Sequence, residues 1–275
     1  MKKVSPFSII IPYFNSSIYL DRLFLTISDY INKDCEIIIV DDCSRDEEIV
    51  KLEEKISSLN AKNIFLKRCD VNSGAAFARQ IGVDLASGEY ILFLDSDDGW
   101  ALNRAFILVE FMKKKNLDIL GSKTNITDEN EFISTRKDKF LQNGRSISFI
   151  NFLFKNYYST PSVIVKKSVF QLNCFNTNMR YSEDFECWRR IVYSSKSFLM
   201  YESGCYSFKH SFISNNKNSL SAATIKMSIG EIKGLIYLFK NNKINLIYKL
   251  LLPFAILYSF IKALYREIHI LMVSK

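Results

Sequence analysis

Four apolar runs of strand length, separated by stretches with helical spacing, fill the first hundred residues and leave little choice of architecture. Phe7–Ile11 is continuously apolar apart from Ser8 and ends at Pro12, Cys35–Val40 holds three consecutive isoleucines, and Ile64–Lys67 and Tyr90–Leu94 follow. Between them, residues 18–31 place Leu20, Leu23, Phe24, Ile27 and Ile31 on one helical face. Residues 46–59 do the same with Ile49, Leu52, Ile56 and Leu59, and residues 75–86 form a third helix opened by Ser73-Gly74. Runs that are apolar without alternation belong to strands covered on both faces, the habit of parallel sheets. Strands alternating with helices of about 10–15 residues give βαβ units with right-handed crossovers. The expected fold class is α/β, with a mostly parallel central sheet flanked by helices.

Beyond residue 100 the pattern is less regular. It predicts a helix over 101–115, a short strand at 119–120, and a loop or weak hairpin over the polar stretch 122–145. A strand at 162–165, a helix over 183–193 and a strand at 198–201 follow. Residues 211–221 are rich in Ser and Asn and read as a mobile loop. The expected division is a catalytic-size domain over 1–222 and a helical tail over 223–275.

The tail differs in charge from the body. Of 37 basic and 29 acidic residues, eight basic and two acidic fall within 225–275. The body is therefore nearly neutral, while the tail is basic and apolar. A basic face on the body would suit nucleic acid; this distribution does not. A basic tail rich in Leu, Ile and aromatics suits an anionic membrane surface. Its longest uncharged run, 250–261, is interrupted by Pro253 and is shorter than the ~20 residues a membrane-spanning helix needs. An interfacial amphipathic helix or helical hairpin is expected, with packing on the body as the other reading. Lys2 and Lys3 precede too short an apolar run for a secretory signal. The six cysteines have no C-x-x-C spacing, so reduced thiols are expected rather than a zinc cluster. The expected location is cytoplasmic, peripheral on the inner face of the membrane.

Ligands of parallel α/β sheets sit at the carboxyl ends of the strands. Three polar clusters fall there: Pro12-Tyr13-Phe14-Asn15, Asp41-Asp42, and Asp95-Ser96-Asp97-Asp98. Three carboxylates in four residues repel one another unless a cation sits among them. A hard divalent ion fits oxygen ligands, and Mg²⁺ typically takes one or two carboxylates plus substrate phosphates. A polar turn capping the next helix is the plain alternative. Asp41-Asp42 either caps the helix that follows or accepts hydrogen bonds from a nucleobase or ribose. Phe14 offers a ring on which a base can stack. Gly74 is placed to expose backbone amides to phosphate, and Arg79 to reach phosphate or a neighbouring carboxylate. Neither a P-loop nor a dinucleotide fingerprint occurs.

Taken together, the blocks resemble the family 2 nucleotide-sugar glycosyltransferases of GT-A fold. The matching segments run in order: Ser8-Ile9-Ile10-Ile11-Pro12-Tyr13-Phe14-Asn15, then Glu36-Ile37-Ile38-Ile39-Val40-Asp41-Asp42-Cys43-Ser44. Asn72-Ser73-Gly74-Ala75-Ala76-Phe77-Ala78-Arg79 and Gly88-Glu89-Tyr90-Ile91-Leu92-Phe93-Leu94-Asp95-Ser96-Asp97-Asp98 complete them. The resemblance covers residues 7–100 closely. A later acidic pair, Glu183-Asp184 followed by Trp188, is similar to the family's acceptor-side acids.

The resemblance implies a nucleotide-sugar site of Pro12, Phe14, Asn15, Asp42, Gly74, Arg79, Asp95, Ser96, Lys209 and His210. It implies Asp97, with Asp95, as ligands of Mg²⁺ or Mn²⁺, and Asp184, beside Glu183, as the general base. Phe14 stands where the family usually has Tyr. The implied reaction is inverting transfer of one sugar, UDP-linked, to a saccharide or lipid-linked saccharide acceptor. The processive Q-x-x-R-W signature is absent from Trp188-Arg189-Arg190. Two other readings compete: a sugar-phosphate nucleotidyltransferase, which lacks its glycine-rich phosphate loop here, and a catalytically silent nucleotide-sugar-binding module.

Overall fold

A computed structural model describes residues 5–137, 142–171, 175–202, 204–208, 224–240 and 244–273. The expected βαβ alternation is present. Strands β1 (Phe7–Tyr13), β2 (Glu36–Asp41), β3 (Ile64–Arg68) and β4 (Tyr90–Phe93) alternate with helices α1 (Leu20–Ile27), α2 (Asp46–Ser58) and α3 (Ala75–Leu85). The second half contributes β5 (Asp98–Trp100), α4 (Arg104–Lys115), β6 (Ile119–Gly121), β7 (Asn125–Ile126), α5 (Glu129–Thr135), β8 (Gly144–Ser146) and α6 (Phe149–Phe154). It continues with β9 (Ile164–Lys166), α7 (Lys167–Gln171), α8 (Glu183–Tyr193), β10 (Ser197–Met200), β11 (Cys205–Ser207), α9 (Thr224–Lys240) and α10 (Leu246–Val273).

The main sheet has eight strands in the order β3-β2-β1-β4-β9-β6-β10-β8. The β3-β2-β1-β4 half is parallel, as is the β6–β10 pair, and β9 and β8 run antiparallel to their neighbours. Ile9, Ile11, Ile37 and Ile39 face one side and pack with Leu23, Ile27 and Leu52; Ile10, Ile38 and Val40 face the other and pack with α3 and α8. This two-sided burial is what the unbroken apolar runs encode.

A second, three-stranded sheet, β5-β11-β7, sits at the strand ends. Its register pairs Ser207 with Asp98 and Cys205 with Trp100. The polar stretch 122–145 is not a loop or hairpin alone: Asp128 caps α5 through its side chain, which accepts from the Glu131 amide. The thiols of Cys35, Cys69, Cys187 and Cys205 are buried and in no disulfide among the described residues.

The tail departs from the expectation that no segment is long and apolar enough to cross a membrane. Helix α10 runs without a break through Pro253, and the 21 residues Leu246–Arg266 have a mean hydropathy of 1.6. At ~1.5 Å per residue that is about 31 Å, long and apolar enough to cross a membrane. The tail also packs on the body, the other reading open in the sequence. Leu235, Leu238, Ile244, Leu252 and Ala255 are buried together with Phe149 and Leu153 of α6, and Lys262 pairs with Glu231 of α9 at 2.5 Å. The opposite side of α10 is exposed and apolar: Leu250, Phe254, Leu257, Ile261, Leu264 and Tyr265. Residues 211–221, read as a mobile loop, and the predicted 222/223 boundary lie outside the described residues.

Candidate active site

The parallel half of the sheet delivers its carboxyl ends to one rim. Phe14 follows β1 and is 47% exposed, so its ring is available to a flat ligand face. Asn15 has a φ of 46°. Its amide donates to Ser44 Oγ at 2.9 Å, and its Oδ1 accepts from the Arg45 amide at 3.0 Å. Asn15 therefore ties the β1 loop to the β2 loop. Pro12, within β1, is in register with Val40 of β2.

Asp41 and Asp42 are both buried. Asp41 accepts from the Ser44 amide at 3.1 Å. Asp42 accepts from the amides of Ser73 at 2.9 Å and Gly74 at 2.7 Å, while its own carbonyl accepts from Asn72 Nδ2. The Asp42 carboxylate thus fixes the turn into α3. The Gly74 amide, expected to face phosphate, is directed at Asp42 instead. Gly74 holds a φ of +93°, a region that favours glycine.

Past β4 the chain turns through Asp95-Ser96-Asp97 into β5. Oxygens of Asp95, Asp97 and Asp98 all lie within 4.8 Å of one another. Three hard oxygen donors at this spacing fit an octahedral or larger shell around a divalent cation, whose bonds run about 2.0–2.6 Å. Asp98 was part of the sequence cluster but not assigned to the metal; the geometry puts it with Asp95 and Asp97. Ser96 turns the other way, donating to Ser16 Oγ at 3.1 Å in a buried bond. Arg22 of α1 braces this loop by donating to the Asp97 carbonyl at 2.9 Å, and its guanidinium lies 3.8 Å from the Phe208 ring centre. Lys209 and His210 lie outside the described residues; β11, which leads to them, pairs with Asp98.

Arg79 joins this cluster to the second acidic pair. It is buried, donates to Asp95 Oδ1 at 2.6 Å, and holds its other terminal nitrogen 3.6 Å from Glu183 Oε1. Of the two roles open in the sequence, the carboxylate one is observed. Glu183 and Asp184 begin α8, where negative charge meets the positive end of the helix dipole. Asp184 Oδ2 accepts from Thr160 Oγ1 at 2.9 Å, and Oδ1 from the Phe185 amide at 2.7 Å. Ser182, in the left-handed region at φ 56°, sets the turn into the helix.

Burial pushes Glu183 up to about 7, reinforced by the charge of Asp184 and opposed by Arg79. Burial also raises Asp184, while the Thr160 hydroxyl, Arg79 and the Phe185 amide hold it down. Two carboxylates raised by burial and by a neighbouring acid, Glu183 by Asp184 and Asp184 by Asp95, with the Arg79 cation beside them, form the arrangement expected of an acid–base site. Arg22 and Thr160 were not singled out from sequence. Only the fold brings Thr160 to α8, and no spacing signals it.

Comparison with known proteins gives the family and the fold. Residues 8–198 match the sequence profile described as Glycosyl transferase family 2. A relative named uncharacterized glycosyltransferase from Haemophilus influenzae is 27% identical over 240 residues, 87% of this chain and 90% of its own. The amylovoran biosynthesis glycosyltransferase AmsB of Erwinia amylovora is 30% identical over 61% of this chain and 57% of its own. Among solved structures, S. aureus TarS 1-349 in complex with UDP-GlcNAc superposes with a TM-score of 0.68 at 17% identity, covering 92% of this chain and 72% of that one. A mannosyltransferase from Pyrobaculum calidifontis in complex with GDP-Man and Mn²⁺ gives 0.66 at 15% identity, covering 96% and 75%. At these identities the structural likeness concerns the fold.

Proposed function

The chain belongs to glycosyl transferase family 2, and from that premise we propose that it serves polysaccharide assembly by moving one sugar from a nucleotide donor to a saccharide acceptor. The observation that supports the reading is the bridge from Asp95 through Arg79 to Glu183, which joins the two acidic clusters read here as donor-side and acceptor-side. The donor is UDP-linked in this reading, in keeping with the UDP-GlcNAc of the TarS structure. Phe14 stacks on the base, and Asp42 acts indirectly by holding the Ser73-Gly74 turn.

Asp95, Asp97 and Asp98 would hold Mg²⁺ or Mn²⁺; when bound, the ion neutralises the diphosphate as it leaves. Asp184 takes the proton of the acceptor hydroxyl. That oxygen forms a bond to the anomeric carbon from the face opposite the diphosphate. The carbon–oxygen bond to the diphosphate breaks and the nucleoside diphosphate departs with the electron pair, so the anomeric centre inverts. A positioned base of this kind contributes typically ~10²–10⁴-fold. Thr160 orients Asp184, and its hydroxyl favours the ionised form against the effect of burial.

The basic, apolar tail rests on an anionic membrane surface. The buried stripe Leu252, Ala255 and Ser259, with the Lys262–Glu231 pair, keeps one side of α10 against the body, and the exposed side carries the apolar contact. That arrangement favours lying on the inner face of the cytoplasmic membrane over crossing it. Nucleotide release from a panel of UDP-, GDP- and dTDP-sugars, with Mn²⁺ and a saccharide acceptor, tests the activity. Binding without turnover for every donor would favour the silent module, and nucleotide transfer to a sugar phosphate would favour the nucleotidyltransferase.

A further inference from the structure

The turn that launches α8, and with it Glu183 and Asp184, departs from what its own sequence dictates. Ser182 precedes the helix, where a serine ordinarily turns its hydroxyl inward to accept from an amide of the first turn. Here the side chain makes no capping bond. Its Oγ points away from α8 and donates to the Met227 carbonyl of α9 at 2.9 Å. The Ser182 backbone lies in the left-handed region at φ 56°. A residue other than glycine stays in such a conformation only where its surroundings hold it.

What holds it is α9. Gly230 packs so closely that a Cβ there would stand 2.3 Å from the Tyr181 carbonyl oxygen and 3.2 Å from Ser182 Cβ. One turn further along α9, a Cβ on Gly234 would meet only the Glu186 side chain, at 3.2 Å. Deeper in, the buried Arg189 guanidinium lies 3.4 Å from the Phe185 ring centre. It donates to the Phe152 and Leu153 carbonyls of α6 at 3.0 and 3.2 Å, and to the Glu231 carbonyl of α9 at 3.4 Å. Helix α8 is thus clamped between α6 and α9, and at its first turn the backbone contact is made by α9.

We infer that Ser182 and Gly230 are positioning residues for the transfer: through them α9 fixes the first turn of α8 and the direction of the Asp184 carboxylate. The tail then serves the chemistry itself, apart from any contact with a membrane. Asp184 lies two residues beyond Ser182. A rotation of Ser182 out of its left-handed conformation would swing Asp184 off Thr160 Oγ1, and the Met227 bond and the close approach of Gly230 oppose that rotation. Misplacing a reacting group by about 1 Å can cost about 10²-fold in rate. These roles rest on the reading of Asp184 as the base.

The test is nucleotide release by the full chain without vesicles, from the donor that the panel identifies, with water as the acceptor. Water keeps membrane and acceptor binding out of the rate. Gly230→Ala should lower kcat about 10–10²-fold while the donor Kd, read by isothermal titration, stays unchanged. Alanine is the better helix former, so helix propensity cannot account for a loss. Ser182→Gly removes the hydroxyl and keeps a backbone that glycine adopts freely, so it folds even where Gly230→Ala does not. It should show the same split, a lower kcat at unchanged donor Kd. Gly234→Ala, which meets only a side chain that can give way, should leave kcat as it is. Wild-type kcat in Ser182→Gly overturns the proposal, as does an equal loss in Gly234→Ala, which would make general packing of α8 on α9 the cause. If Asp184→Asn turns over like the wild type, the base reading fails on its own count. If Asp184→Asn is inactive and Ser182→Gly is unimpaired, only the positioning roles fail.

Discussion

Arg79 of α3 and Glu183 of α8 face each other at 3.6 Å inside the protein, although they come from opposite halves of the chain. The same guanidinium holds Asp95 at 2.6 Å, so the loop after β4 and the start of α8 share one buried cation. Removing one partner of a buried charge network leaves an uncompensated charge, typically at ~3–5 kcal/mol. Arg79→Leu should therefore lower the melting temperature strongly and abolish turnover. Arg79→Lys should keep more of the fold than of the activity, because a lysine cannot fork between the two acids. Thermal unfolding and nucleotide release, measured on both variants, check this.

Asp184→Asn keeps the shape of the site and removes its capacity to take a proton. Donor binding should persist while kcat falls about 10²–10⁴-fold. Isothermal titration with the donor and steady-state transfer separate the two effects. Unchanged transfer would remove Asp184 from the base role.

The Thr160 hydroxyl favours the ionised form of Asp184. Thr160→Val should raise the pKa of the acid pair, and the acidic limb of the kcat profile should move to higher pH. Stability carries the opposite sign. Glu183 is raised from 4.5 to about 7, so the folded state holds its proton over that window and stability falls as pH rises through it. Glu183→Gln should flatten the dependence of melting temperature on pH between about 4.5 and 7. A pH series of melting curves on both proteins reads this directly.

Gly74 sits at φ +93° with open space where a Cβ would be. Gly74→Ala should cost about 1–3 kcal/mol from backbone strain alone. The Asp42 contacts to the Ser73 and Gly74 amides should loosen with it. A lower melting temperature together with weaker donor binding is the expected pair of results.

The strand–helix alternation was legible because burial on both faces of a parallel sheet demands unbroken apolar runs. The three-residue strands β5 and β11 were not, because their pairing is non-local and each carries too few residues for a period. Helix α10 was under-read at Pro253. A proline removes one helical hydrogen bond, but the flanking Leu252 and Ala255 are buried against α9 and α6 and hold the turn. The acids of the site were visible as clusters at strand ends. The roles of Asp42 and Asn15 were not, since each depends on a partner that only the fold supplies, while for Arg79 the sequence left two roles open and the fold selects the carboxylate one.

The account turns on whether the Asp95-Asp97-Asp98 cluster holds the metal through which a nucleotide sugar binds. Thermal shift of the wild type and of Asp97→Asn, with a nucleotide-sugar panel and with Mn²⁺ or EDTA, tests that most directly. A donor at 100 times its Kd should stabilise the wild type by about 2.7 kcal/mol. The account predicts this stabilisation with Mn²⁺, and its loss in EDTA and in Asp97→Asn. An equal shift in EDTA, or in the variant, would contradict it.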